Sequence, residues 1–127
     1  MMDDQIKISL INVNGIRDYV TNTKLKHLCH KALQHDITFI TESHLSLNLE
    51  HRVKSLWDGP IFFNHNTNAN TNGLIALCKP TFNLKNAYND PEGRCSIFHY
   101  DNAHSHLCFC LIYAPSSTEV ALSLIHI

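Results

Sequence analysis

A chain of 127 residues can hold one domain with a real core. Its 44% hydrophobic content comes with no run of about 18 apolar residues, so no membrane-spanning helix is expected. Ten Lys and Arg against eleven Asp and Glu give a net charge of −1, which argues against a basic module that wraps nucleic acid. A few local contacts to nucleic acid remain compatible with that balance. The acidic start, Met1 to Gln5, lacks the basic-then-apolar pattern of a signal peptide, and an intracellular protein is expected. The five cysteines, Cys29, Cys78, Cys95, Cys108 and Cys110, show no paired disulfide spacing. They read as small buried apolar residues.

Ile6 to Val13 alternates as a strand, with Ile6, Ile8, Leu10 and Asn12 on one core-facing row. Asn12 then ends that row with an amide that needs partners. Asn14-Gly15 signals a turn. Thr21 or Asn22 caps a helix expected over 23–35, its apolar stripe formed by Leu25, Leu28, Cys29, Ala32 and Leu33. Ile37 to Glu42, rich in β-branched and aromatic side chains, reads as a buried strand of six residues. It ends on Glu42-Ser43-His44. A carboxylate at a strand end needs a cation, a donor or water, and a hard divalent metal is one good partner. A solvated strand-end acid is the plain alternative.

Leu45 to Leu56 has weaker helical spacing, ended by Trp57-Asp58-Gly59-Pro60. Ile61 to Phe63 is a short strand, and the Asn-rich run 64–73 is a surface loop. Gly73 to Cys78 reads as a strand buried on both faces. Phe82 to Tyr88, Arg94 to Tyr100 and His106 to Tyr113 follow as strands joined by short turns, which favour antiparallel neighbours. His104, His106, Cys108 and Cys110 suggest zinc by residue type. Ligands along one straight strand cannot converge on a tetrahedral ion, so a zinc site is not expected. No internal repeat or linker is present, and the chain reads as one domain or part of one.

Five short motifs occur in order: Asn12-Val-Asn-Gly-Ile16, Thr41-Glu-Ser-His-Leu45, Gly73-Leu-Ile-Ala-Leu77, Glu92-Gly-Arg94 and Ile112-Tyr-Ala-Pro115. Together they resemble the N-terminal half of the endonuclease/exonuclease/phosphatase family, nearest to the apurinic-type endonuclease domain of LINE-type (non-LTR) retrotransposons. The resemblance covers about residues 6–117. It implies an α/β fold class, part of a four-layer α/β sandwich of DNase I-like type with mixed, largely antiparallel sheet. It implies a Mg²⁺-dependent (or Mn²⁺-dependent) endonuclease that hydrolyses DNA phosphodiester bonds to nick a target site. In that reading Glu42 ligates the metal and Asn12 helps to hold it. Tyr113 touches the scissile phosphate, Asn14 takes a position that is Asp in many repair endonucleases, and Arg94 positions the backbone. His44 matches the motif's histidine without a separate chemical role. The chemistry suits these residue types, since a metal and well-aimed donors stabilise charge on the phosphoryl group.

The sequence departs from the pattern in several places. Thr41 replaces the usual Gln, Ser43 the usual Thr, and Asn72 the first Gly of a Gly-Gly-x-Ala motif. Ser116 stands where repair-type members carry Asn. The family's Gly-Asp-x-Asn and Ser-Asp-His motifs, which supply the base for the attacking water, are not in the sequence. Residues 1–127 are therefore expected to be the N-terminal part of one such domain, inactive alone, with 118–127 a non-native tail whose last five residues, Ser123 to Ile127, resemble translated sequencing adaptor. Glu119 to Leu122 is expected to begin a helix. The implied partners are DNA and a downstream reverse transcriptase domain in cis, with no membrane and a nuclear location. A same-fold phosphatase, an RNA-acting nuclease and a non-catalytic remnant of the fold are the alternatives.

Overall fold

A computed structural model describes residues 5–16, 22–68 and 71–113, together with the backbone of 120–126. In chain order the elements are β1 (Ile8–Asn12), α1 (Thr23–Ala32), β2 (Ile37–Thr41), a 3-10 turn (Leu47–Leu49), α2 (Glu50–Lys54), β3 (Ile61–Asn64), β4 (Leu74–Cys78), β5 (Leu84–Asn89), β6 (Cys95–Asp101), β7 (His106–Tyr113) and β8 (Val120–His126). They build two four-stranded sheets, ordered β1-β2-β4-β3 and β5-β6-β7-β8. β1 and β2 run parallel, as they must when a helix such as α1 carries the chain back across the sheet. Every other pair is antiparallel.

The first sheet is the middle layer. β2 and β4 are buried on both faces, and their alternation divides the core in two. Ile40, Ile75 and Leu77 pack with Leu25, Leu28, Cys29 and Ala32 of α1, with Val53 of α2 and with Trp57. Ile37, Phe39, Leu74, Ala76 and Cys78 face the second sheet, against Leu84, Phe98, Phe109 and Leu111. Phe39 is the hub of that interface, its ring centroid 5.6 Å from Phe98 and 5.7 Å from Phe109. The Trp57 indole N–H donates to the Cys78 carbonyl at 2.9 Å, pinning the chain after α2 to the end of β4.

The expected four-layer α/β sandwich, and with it the DNase I-like fold class, is not what this chain builds. The described residues form a small β-rich unit of two sheets, with two helices. From β4 onward the sheet neighbours β5 to β8 are joined in sequence order. The described turns between β5, β6 and β7 are short, and a helical layer needs crossovers of a dozen or more residues. The expected helix from Glu119 is also overturned: β8 pairs antiparallel with β7 from Tyr113↔Val120 to Leu107↔His126. β7 would otherwise leave a row of unpaired backbone groups, and a following alternating segment satisfies them.

Smaller corrections follow from which face an element buries. Leu33 is 72% exposed, because α1 ends at Ala32 and the turn after it leaves the apolar stripe. The weak helix over 45–56 is a 3-10 turn followed by a short α2. Leu10 and Asn12 are exposed, whereas Val13 is buried and Ile11 packs on the helix-side core. β1 is an edge strand, so its end is not sealed as its alternation suggested. Asn22 caps α1 in a left-handed conformation without a side-chain capping bond, its amide oxygen instead accepting from Arg52, and Thr21 lies outside the described residues. Cys95, Cys108 and Cys110 are half-buried, unlike the buried Cys29 and Cys78.

Candidate functional site

Past the ends of β1 and β2 the backbone leaves the strand conformation but keeps its hydrogen bonding. Val13 N–H donates to Thr41, Gly15 N–H to Glu42 at 2.6 Å, and Ile16 N–H to Ser43 at 2.9 Å. On the other side Ser43 N–H donates to Gly73 and His44 N–H to Asn72. Gly73 N–H reaches Gly93, and Tyr113 N–H reaches Arg94 at 2.7 Å, so the second sheet joins the same corner. The Lys24 ammonium donates to the carbonyls of Val13 and Gly15, each at 3.0 Å, and holds the first loop from α1.

Four non-glycine residues here are left-handed: Asn14 (φ 48°), Glu42 (55°), His44 (57°) and Asn72 (57°). Asn tolerates this region; Glu and His do so much less readily. Each such residue costs about 1–3 kcal/mol and persists only where its surroundings over-determine it. Two glycines explain the close packing. A Cβ on Gly15 would lie 2.8 Å from His44 Nδ1, and one on Gly73 would collide with Ser43 Oγ. Both glycines also have positive φ.

The corner gathers three of the residues singled out from the sequence. The Glu42 carboxylate is 22% exposed, with His44 Nε2 3.6 Å from Oε1. The buried Tyr113 side chain lies beside the Glu42 carboxylate. Burial, then the hydrogen bond to the Glu42 carboxylate and its charge, push the Tyr113 phenol up from its ordinary value. Tyr113 therefore keeps its proton, and its role as a donor, at neutral pH. The buried hydroxyls of Thr41 and Ser43, on either side of Glu42, have no hydrogen-bond partner among the described residues. Such orphaned groups are rare in native interiors.

Asn12 and Asn14 take less central positions. Asn12 is exposed and in register with Thr41, and its Oδ1 accepts the Asn14 N–H at 3.1 Å. Its oxygen therefore shapes the turn before anything else. Arg94 contributes through its backbone to Tyr113, while its guanidinium pairs with the exposed Glu92 at 2.9 Å. Ala114 to Ser116 lie outside the described residues, as does the last residue of the tail.

Sequence reasoning missed Asp90 as the anchor of this corner. Its carboxylate accepts from the backbone N–H groups of Arg94 (2.7 Å), Cys95 (2.8 Å) and Glu92 (3.2 Å), and from the Asn64 amide. Burial alone would raise Asp90, but those hydrogen bonds outweigh it and hold the carboxyl below its ordinary value. The Asn89-Asp90-Pro91 turn carried the signal, since Asp bonds its own downstream backbone in such turns. A cleft of about 1060 Å³ adjoins the corner, lined by Leu47, Phe63, His65, Asn66 and Asp90 among others, without Glu42 or Tyr113. His65 Nε2 and Glu50 pair at 2.8 Å beside it.

A hard divalent cation fits this corner in a limited way. Mg²⁺ commonly takes one or two carboxylates and completes its shell with water. Glu42 is a half-buried carboxylate of the kind such an ion takes, and Asn12 lies on the adjacent strand. Among the described residues no group of three or more His, Cys, Asp or Glu is arranged to hold a metal. No described helix is long and apolar enough to cross a membrane.

No protein-family model matches the chain, and no curated protein matches it. Among solved structures, the chain is similar to one described as the crystal structure of a functionally unknown conserved protein from Enterococcus faecalis V583. The likeness has a TM-score of 0.47 and 11% identity over 94% of this chain, which spans 51% of that structure.

Proposed function

We propose that this chain carries the metal-binding part of a divalent-cation-dependent phosphodiesterase site that acts on DNA. The observation that carries the reading is the strand-end carboxylate of Glu42, held in a left-handed conformation and half-buried beside Tyr113. The motif strings around Asn12, Glu42, Gly73, Arg94 and Tyr113 support it by their resemblance to retrotransposon endonucleases. A bound Mg²⁺ or Mn²⁺ supplies polarisation of the phosphoryl oxygen and stabilisation of the leaving alkoxide. Glu42 would hold the cation, with Asn12 as an added oxygen ligand. Tyr113 stays protonated and offers its hydroxyl to charge developing on the phosphate. Hydrolysis also needs a group that takes a proton from water. His44 Nε2 lies 3.6 Å from the Glu42 carboxylate, and among the described residues no group of three or more His, Cys, Asp or Glu is placed to hold a metal. In this reading the described residues make up a binding half-site, and nicking with release of a 3′-hydroxyl to prime a reverse transcriptase needs a base that they do not supply.

Calorimetric titration with Mg²⁺ and Mn²⁺ tests this. Weak, millimolar-range binding is expected for the native chain and its loss in Glu42→Gln, with urea unfolding to verify that the variant folds. Equal binding by both chains would overturn the assignment of Glu42. A supercoiled-plasmid assay is expected to show no nicking by the native chain; nicking abolished by Glu42→Gln would overturn the half-site reading and establish a complete enzyme.

A further inference from the structure

The outer face of the second sheet carries chemistry that the corner does not use. Along β6 and β7 the inward residues Phe98, Phe109 and Leu111 are sealed in the core, so Cys95, Ile97, Cys108, Cys110 and Ile112 point the other way. Cys95 is opposite Ile112 and Cys110 is opposite Ile97, which makes the two cysteines diagonal neighbours on adjacent strands. We propose that Cys95 and Cys110 are a reversible redox pair that closes into a cross-strand disulfide by exchange with a small-molecule disulfide.

The geometry selects this pair. Cys95 and Cys110 share the outward face at diagonal register positions, near enough for Cys110 to raise the Cys95 thiol, and both are half-buried rather than sealed. Diagonal positions in a flat sheet lie about 7–8 Å apart, just beyond the roughly 6.8 Å upper reach of a disulfide. Strand twist shortens one diagonal. A bridge drawn across that gap is strained and is easily reduced again. Cys108 is opposite His99, roughly 13 Å along the strands from Cys95 by the rise per residue. Cys108 and Cys110 share one strand with parallel side-chain directions, which does not suit a bridge. Cys29 and Cys78 are buried, and burial pushes the Cys78 thiol up to about 12.

In the exchange, the thiolate of one cysteine attacks a sulfur of the small disulfide and displaces the first small thiol. The second cysteine then attacks the protein-side sulfur and displaces the other small thiol. The protein loses two protons and two electrons, and the small disulfide takes them up. Burial, the neighbouring Cys110 and Asp90 hold the Cys95 thiol up, so exchange quickens as the pH rises and the thiolate fraction grows. Closure tightens the strand that begins beside Arg94 onto the strand that ends at Tyr113. The pair does not depend on the proposed activity.

The native chain is incubated with glutathione disulfide at mildly alkaline pH, free thiols are alkylated, and a chymotryptic digest is read by mass spectrometry. Cuts after Phe98 and Phe109 put Cys95, Cys108 and Cys110 on separate peptides; the sequence beyond Arg94 has no Lys or Arg for trypsin. The expected product links the Cys95 and Cys110 peptides, is abolished by dithiothreitol, and persists in Cys108→Ser. A Cys108–Cys110 link, glutathione adducts without a cross-link, or no oxidation would each overturn the proposal.

Discussion

The corner around Glu42 and the outer face of the second sheet lie on neighbouring layers and obey opposite rules. At the corner, regular pairing has stopped. Four left-handed non-glycine residues and two orphaned hydroxyls surround one half-buried carboxylate, and backbone hydrogen bonds from both sheets hold it in place. On the outer face the strands stay regular, and the thiols meet only because antiparallel register sets them diagonally. The comparison teaches that strain gathers where a polar group is held in place by the surrounding backbone. Regular register can bring reactive groups together with no strain at all until they react.

The largest expected effect comes from removing what both regions share. Phe39 lies between the sheets and is fully buried. Phe39→Ala should cost about 3–5 kcal/mol, read as a lower urea midpoint. Because the residue joins the layers, both Glu42-dependent cation binding and the Cys95–Cys110 link should fail together in this variant. Survival of either in a cooperatively folded chain would show that the two regions stand independently of the interface.

A change confined to the corner should separate them. Gly73→Ala places a Cβ against Ser43 Oγ at a positive φ, at a cost of about 1–3 kcal/mol for the backbone conformation besides the collision. Cation binding should weaken while the disulfide still forms. Unchanged stability in urea would mean that the close approach of Gly73 to Ser43 is not needed.

The smallest effect is expected in the pH profile. Asp90 has a depressed carboxyl, so its contribution to stability is present above the ordinary Asp value, about 3.9. It is lost as pH falls through the lower folded value. Asp90→Asn should lower stability at neutral pH and flatten the acid limb, so that native and variant curves converge in strong acid. Asp36, at the far end of the first sheet, serves as the comparison. Burial would raise it, but hydrogen bonds from Lys79 and from the Lys7 backbone N–H, with the charges of both lysines, lower it. Asp36→Asn should flatten the same limb without touching cation binding. Parallel curves for either variant would count against the depressed value.

Much of the local structure was legible in the residues. β-Branched and aromatic runs marked β2 and β4, Gly and Asn marked the turns, and the three-and-four spacing of Leu25, Leu28 and Ala32 marked α1. The motif residues Glu42 and Tyr113 were also legible as polar groups at strand ends, although 71 positions apart. Asp90 was less so: its turn was legible, but not that the backbone groups it holds tie that turn to the corner. Arg94 was read for its guanidinium, whereas its carbonyl is what touches the corner.

What the sequence by itself determined is therefore local: which segments extend, which coil, and where each stops. Those choices depend on side-chain bulk, backbone freedom and short-range hydrogen bonds. Only the tertiary structure decided which face each strand buries, that β8 completes the second sheet, and that the chain forms two sheets rather than four layers. It also decided that Glu42 meets Tyr113 while Asn12 stays exposed. These outcomes depend on which backbone edges and apolar faces find partners, and that is a property of the whole chain rather than of any window along it.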